Sequence, residues 1–122
     1  MPAAEATSYE TELKRAIAQA DSQFVSPSTE QAYRQLAEEL RKVGAIPIFL
    51  VTPLTAQIKL GFRPESGMAD MVMSFNDAKA YPQFYRSKMR VDGGHLNSAA
   101  AEEFTRLVAE KLSQLVREDR IQ

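Results

Sequence analysis

Apolar residues recur along this chain with two different periods, and the changes of period divide it into elements. Tyr9, Leu13, Ala16, Ile17, Ala20 and Phe24 keep the three- and four-residue spacing of one helical face. Thr7 and Glu10 stand three apart at its start, the spacing of a capping box, which predicts a helix from near Thr7. The alternative for residues 1–26 is a loosely held arm, because the alanines of that face bury little surface. A second stripe, Tyr33, Leu36, Ala37, Leu40 and Val43, follows Pro27 and another capping-box pair, Ser28 and Gln31. Gly44 then stands where a helix end commonly needs a left-handed residue.

The helical period breaks at Ile46-Pro47-Ile48-Phe49-Leu50-Val51, which is apolar on both faces and rich in β-branched side chains. A strand covered by helices on both sides reads this way, which favours a parallel sheet. Pro47, lacking an N–H, has to lie at the strand's start or at an unpaired position. Helix, glycine and buried strand make the α-to-β half of an α/β unit. Residues 52–69 form a long connection containing Pro53, Gly61, Pro64 and Gly67, with a short helix expected over 55–60. Loops of this length in compact domains are usually functional or mobile. Residues 70–75 predict a second strand, Asn76-Asp77 a stop, and 78–85 a single helical turn. The last helix is expected after Asn97 or Ser98, both good caps. Its apolar stripe is Phe104, Leu107, Val108, Leu112, Leu115 and Val116, with fraying from Glu118. The pattern as a whole predicts one α/β domain over 1–122, a small parallel sheet of two or three strands flanked by helices.

Composition narrows the chemistry. A chain of 122 residues has enough surface to bury for one core. With 15 basic and 16 acidic residues well dispersed, no nucleic-acid or anionic-membrane partner is expected. There is no cysteine, which excludes disulfides and thiolate chemistry, and a single histidine excludes a multi-histidine zinc site. No cofactor or metal is expected. No apolar run approaches the roughly 20 residues that span a bilayer. The first residues carry neither the basic nor the apolar region of a secretory leader, so none is expected, and the compartment is not legible.

The single histidine lies in Val91-Asp92-Gly93-Gly94-His95-Leu96-Asn97. Asp92 and His95, three apart across a tight glycine-containing turn, can bring a carboxylate to one imidazole nitrogen. The carboxylate then fixes the tautomer and stabilises the imidazolium, and the other nitrogen is left as a general base. Gly93 and Gly94 are expected to let the backbone turn without a Cβ penalty. The positive end of the following helix disfavours a charged imidazole while Asp92 favours it, so the two influences oppose. The structural alternative is a turn followed by a helix cap, with Asn97 as that cap.

Asp92-Gly-Gly-His95-Leu96-Asn97, continued by Ala100-Ala101 and Phe104-Thr105, resembles the C-terminal signature of SGNH hydrolases, in its form similar to bacterial members related to acyl-transferring and polysaccharide-acetylating proteins. Phe75-Asn76-Asp77 and Tyr81-Pro82-x-x-Tyr85 resemble the segment leading into that signature, and Thr52-Pro53 fits the preceding α/β unit. The likeness covers residues 28–115 and is specific over 92–105. It implies the C-terminal half of a three-layer sandwich, with Asp92 and His95 as the acid and base of a Ser-His-Asp triad and Gly93, Gly94 and Asn97 as structural residues of the motif. The family's nucleophile lies in Gly-Asp-Ser and its oxyanion donors in a separate Gly and Gly-x-Asn-Asp; this chain holds none of these.

Each serine weighed as a replacement lacks a nucleophile's setting: Ser8, Ser26 and Ser28 precede or cap helices, Ser66 lies in a loop, Ser98 and Ser113 belong to the last helix, and Ser74 and Ser87 lack the required turn. Met68, Met71, Met73 and Met89 suit core filling better than an acyl pocket. Tyr81, Phe84 and Tyr85 suit packing better than a sugar platform. Lys59 and Arg63 suit a solvated loop better than an anion site. The expectation is therefore the acid–base half of an SGNH-like esterase or acyltransferase for a carbohydrate or other small ester, its serine supplied from elsewhere. The missing strands predict association with another copy or with an absent N-terminal half. The alternatives are a non-catalytic interaction module derived from the same fold, and an unrelated α/β domain in which Asp92 and His95 are structural.

Overall fold

A computed structural model describes residues 1–19, 23–55, 58 and 60–118. Helix α1 spans Ala3–Gln19. It starts earlier than Thr7, because Ala3, Ala4, Glu5 and Ala6 are good helix formers and Ala6 N–H already closes a turn on the Pro2 carbonyl at 2.8 Å. Thr7 therefore sits inside the helix, its hydroxyl bonded back to the Ala3 carbonyl at 3.1 Å, and the Thr7–Glu10 capping box does not form. Tyr9, Leu13, Ala16 and Ile17 do share the inner face. Ala20 lies outside the described residues. Phe24 belongs instead to strand β1, Gln23–Phe24, which pairs parallel with β3, Leu60–Gly61.

Helix α2 spans Pro27–Lys42. Its cap is Ser26, not Ser28: the Thr29 N–H donates to Ser26 Oγ at 3.2 Å. Proline has no N–H to lose at the first helical position, so Pro27 assigns the cap to the residue before it. At the other end Gly44 takes φ +83°. Its N–H bonds the Arg41 carbonyl and the Ala45 N–H bonds the Leu40 carbonyl, both at 3.0 Å, so two otherwise orphaned acceptors are satisfied. The predicted stripe is only partly covered. Ala37 is fully buried, whereas Tyr33, Leu36 and Val43 are exposed, because the strands packed against α2 are short and few.

Strand β2, Phe49–Val51, pairs parallel with β4, Val72–Ser74, with Leu50 opposite Met73. The ladder starts later than Ile46. Pro47 lies buried just before it, an unpaired position that suits its missing N–H. Phe49 and Phe62 pack on Ala37, Met68 and Met71. The connection from β2 to β4 is structured by β3 and by short 3-10 helices at Pro64–Ser66 and Ala69–Met71. Half of the short helix expected over 55–60 lies outside the described residues, and Leu60 is in β3. The connection is clamped to α2 through Glu30, which is 3% exposed. Arg63 meets the Glu30 carboxylate with Nε and Nη2 at 3.2 and 3.0 Å, and Arg34 joins it at 3.2 Å.

Residues 75–89 run through 3-10 turns at Pro82–Phe84 and Ser87–Met89 into an antiparallel hairpin, β5 (Arg90–Asp92) and β6 (His95–Leu96). Helix α3, Ser98–Arg117, follows, with Asn97 Oδ1 accepting from Ala100 N–H at 3.0 Å. Phe104 of α3 meets Phe75 and Phe84 edge-on, at 5.0 and 5.5 Å between ring centres. The fold is thus mixed α/β, with three α-helices and three two-stranded pairs among the described residues, of which β1–β3 and β2–β4 are parallel and β5–β6 antiparallel. None of the helices described is long and apolar enough to cross a membrane.

Candidate functional site

The hairpin that carries the histidine is built around an irregularity. Arg90 pairs with Leu96 and Asp92 with His95, so two steps on β5 face one step on β6. Val91 is the extra residue and is pushed out to solvent, as a bulge requires. The bulge turns Arg90 inward and leaves Asp92 at the hairpin's tip. Neither Gly93 nor Gly94 has a positive φ, and a Cβ on either would make only ordinary contacts, with Tyr9 at 4.0 Å and Asp92 Oδ1 at 3.6 Å. The expectation that these glycines supply conformations closed to other residues is therefore corrected. The carboxylate of Asp92, accepting the Gly94 N–H at 2.8 Å, closes the turn instead.

The same carboxylate meets His95. Nδ1 lies 2.8 Å from Asp92 Oδ1 and 3.1 Å from Oδ2. A carboxylate has no proton to give, so Nδ1 carries the hydrogen and donates it. The hydrogen bond from His95, and then that from the Gly94 backbone, hold the Asp92 carboxyl below its ordinary range. The imidazole is 78% exposed and Asp92 44%, so Nε2 is left toward solvent. The structure brings Asp92 and His95 together at the surface, with Gly93 and Gly94 in the turn between them. Asn97 stands beyond as the helix cap, its amide also donating to the Lys88 carbonyl at 2.8 Å.

No serine joins them among the described residues. Ser26 is a helix cap, Ser66 Oγ accepts the Met68 N–H, and Ser87 donates to Glu10 at 2.7 Å. Among the described residues no serine hydroxyl is hydrogen-bonded to His95; Ser22 lies outside them. A cleft of about 550 Å³ adjoins the turn at Gly93 and is bordered by Ser8, Tyr9, Glu12 and Thr55. The other candidates are accounted for by packing. Met68, Met71 and Met73 are buried in the core. Phe84 and Tyr85 are fully buried, and Tyr81 is half-buried with its ring stacked on Phe84. Arg63 is occupied by Glu30, and Lys59 lies outside the described residues. No group of metal-ligating side chains gathers among the described residues.

Sequence reasoning missed the residue under the hairpin. Arg90 is 1% exposed. Its guanidinium donates to the carbonyls of Phe84 at 2.6 Å, Pro53 at 3.2 Å, Gly93 at 3.2 Å and Asp92 at 3.4 Å, and lies 5.5 Å from the centre of the Tyr9 ring. A lone arginine in a polar-looking turn gives no signal of burial, because its acceptors are backbone atoms that every residue has. Comparison with known proteins finds no matching family model, no matching curated protein and no matching solved structure.

Proposed function

We propose that this chain carries the acid–base half of an SGNH-like esterase or acyltransferase acting on an ester of a carbohydrate or other small alcohol. The observation that supports it is the contact of His95 Nδ1 with Asp92 at 2.8 Å, with the ring open to solvent on its other side. In the completed reaction a serine hydroxyl, supplied by another segment or chain, attacks the ester carbonyl while Nε2 of His95 takes its proton. Asp92 stabilises the imidazolium so formed. The proton then passes to the departing alcohol, leaving an acyl-serine that water or an acceptor alcohol resolves with His95 again as base. The finer fold assignment, the C-terminal half of a three-layer sandwich, belongs to the same proposal. It is supported by the parallel β2–β4 pair, with α2 meeting Phe49 and α3 meeting Phe75.

Without a positioned nucleophile and oxyanion donors, only weak general-base hydrolysis is expected of the chain alone. A 4-nitrophenyl acetate assay tests this. The wild type should exceed His95→Ala, and Asp92→Asn should fall several-fold toward it. Equal rates for wild type and His95→Ala would remove the acid–base reading. That result would leave the second reading, a non-catalytic interaction module, which is favoured by the lack of Gly-Asp-Ser and by the exposed apolar side chains of Phe24, Ile46 and Leu50.

A further inference from the structure

We propose that Arg90 is the positioning residue of the Asp92–His95 pair, gripping the backbone of the hairpin from below so that the carboxylate can hold the imidazole in one tautomer. This rests on the acid–base reading of that pair. A buried cation is costly unless every donor finds an acceptor. Arg90 has no carboxylate partner among the described residues, and four backbone carbonyls take its hydrogen bonds. Those carbonyls lie in three places: Pro53 after β2, Phe84 in the aromatic turn, and Asp92 and Gly93 in the hairpin itself. The guanidinium therefore ties the tip of the hairpin to two parts of the core, and Tyr9 of α1 closes the remaining side. Tyr9 is itself fixed through its hydroxyl, which donates to the Tyr85 carbonyl at 2.7 Å.

The geometry divides the restraint on Asp92 between its two ends. Arg90 holds its carbonyl, while its carboxylate accepts from Gly94 and His95. With the backbone of Asp92 and Gly93 released, the carboxylate would swing with the turn, and the exposed imidazole has no other side-chain hydrogen bond among the described residues to keep it. Lysine does not replace arginine here. An ammonium donates from one point, whereas these acceptors surround a planar fork with donors at Nε and both Nη atoms.

Nitrogen-detected NMR of His95 reads the tautomer directly. In the wild type the neutral ring should be mostly Nδ1–H. In Arg90→Lys and Arg90→Met, measured at a temperature where circular dichroism shows them folded, the population should move toward Nε2–H, as in Asp92→Asn. A lowered melting temperature with the tautomer unchanged would reduce Arg90 to a purely structural residue and overturn the proposal. Should neither variant fold, the wild type suffices: on warming, protection of the Arg90 Nε–H and of the His95 Nδ1–H should be lost together. Survival of the His95 proton after that of Arg90 exchanges freely would likewise overturn it. The tautomer does not depend on turnover, so failure of the ester assay and failure of this proposal are separate results.

Discussion

Two carboxylates, Asp92 and Glu30, are bound in opposite settings, and both settings favour the charged form. Asp92 is held down by His95 and Gly94 at the surface, Glu30 by Arg63 first and by Arg34 within a covered clamp. A carboxyl lowered on folding contributes stability above its unfolded titration range, and that contribution is lost as pH falls through the folded value. For Glu30 the expected outcome is a drop in melting temperature between about pH 5 and pH 3 that is smaller in Glu30→Gln than in the wild type. For Asp92, His95→Ala removes the strongest of the hydrogen bonds that hold its carboxyl down, so carbon-detected NMR should find its titration midpoint raised toward the ordinary carboxyl value. An unchanged midpoint would mean that the 2.8 Å contact is not kept in solution.

Glycines and caps act at the level of whole elements, and here they separate into two kinds. Gly44 ends α2 in the left-handed region at φ +83°, so Gly44→Ala is expected to cost about 1 kcal/mol by urea unfolding. Gly94 has no such φ and only ordinary contacts at its Cβ position, so Gly94→Ala should be nearly neutral and leave the Asp92–His95 contact in place. Asn97→Ala removes the side-chain acceptor at the start of α3 and should cost about 1 kcal/mol. Because the Asn97 amide also ties the helix start to Lys88, the loss should loosen the segment leading into the hairpin as well as the helix. Amide hydrogen exchange at residues 88–100 checks this; protection lost in α3 alone would place the whole effect in the cap.

The accessible surface of the chain is 7895 Å², against about 6600 Å² for a compact monomer of its mass. Part of the difference is apolar: Phe24, Leu36, Ile46 and Leu50 are all about half exposed. Leu50 lies on β2, which has a ladder partner on one side, β4. Association with another copy or with a complementary half would cover these side chains. Size-exclusion chromatography with light scattering should therefore find species larger than the monomer at high concentration, reduced in Leu50→Lys. A strictly monodisperse wild-type monomer would count against it.

How much of this was legible in the residues depends on the range of the interaction concerned. The second helix and its glycine end, the two apolar strand segments taken singly, the Asn97 cap and the meeting of Asp92 with His95 follow from groups a few positions apart, whose geometry a short stretch of chain sets by itself. The start of α1 and the serine that caps α2 differ from the expectation, although local, because more than one register satisfies the same spacing; the turn at Gly93 and Gly94 differs because the Asp92 carboxylate closes it without a left-handed residue. The burial of Arg90 under the hairpin, the clamp of Arg63 on Glu30 and the part of the α2 stripe left uncovered were decided by tertiary structure alone. Each depends on which distant backbone or side chain arrives opposite, and no periodicity along the chain encodes that arrival.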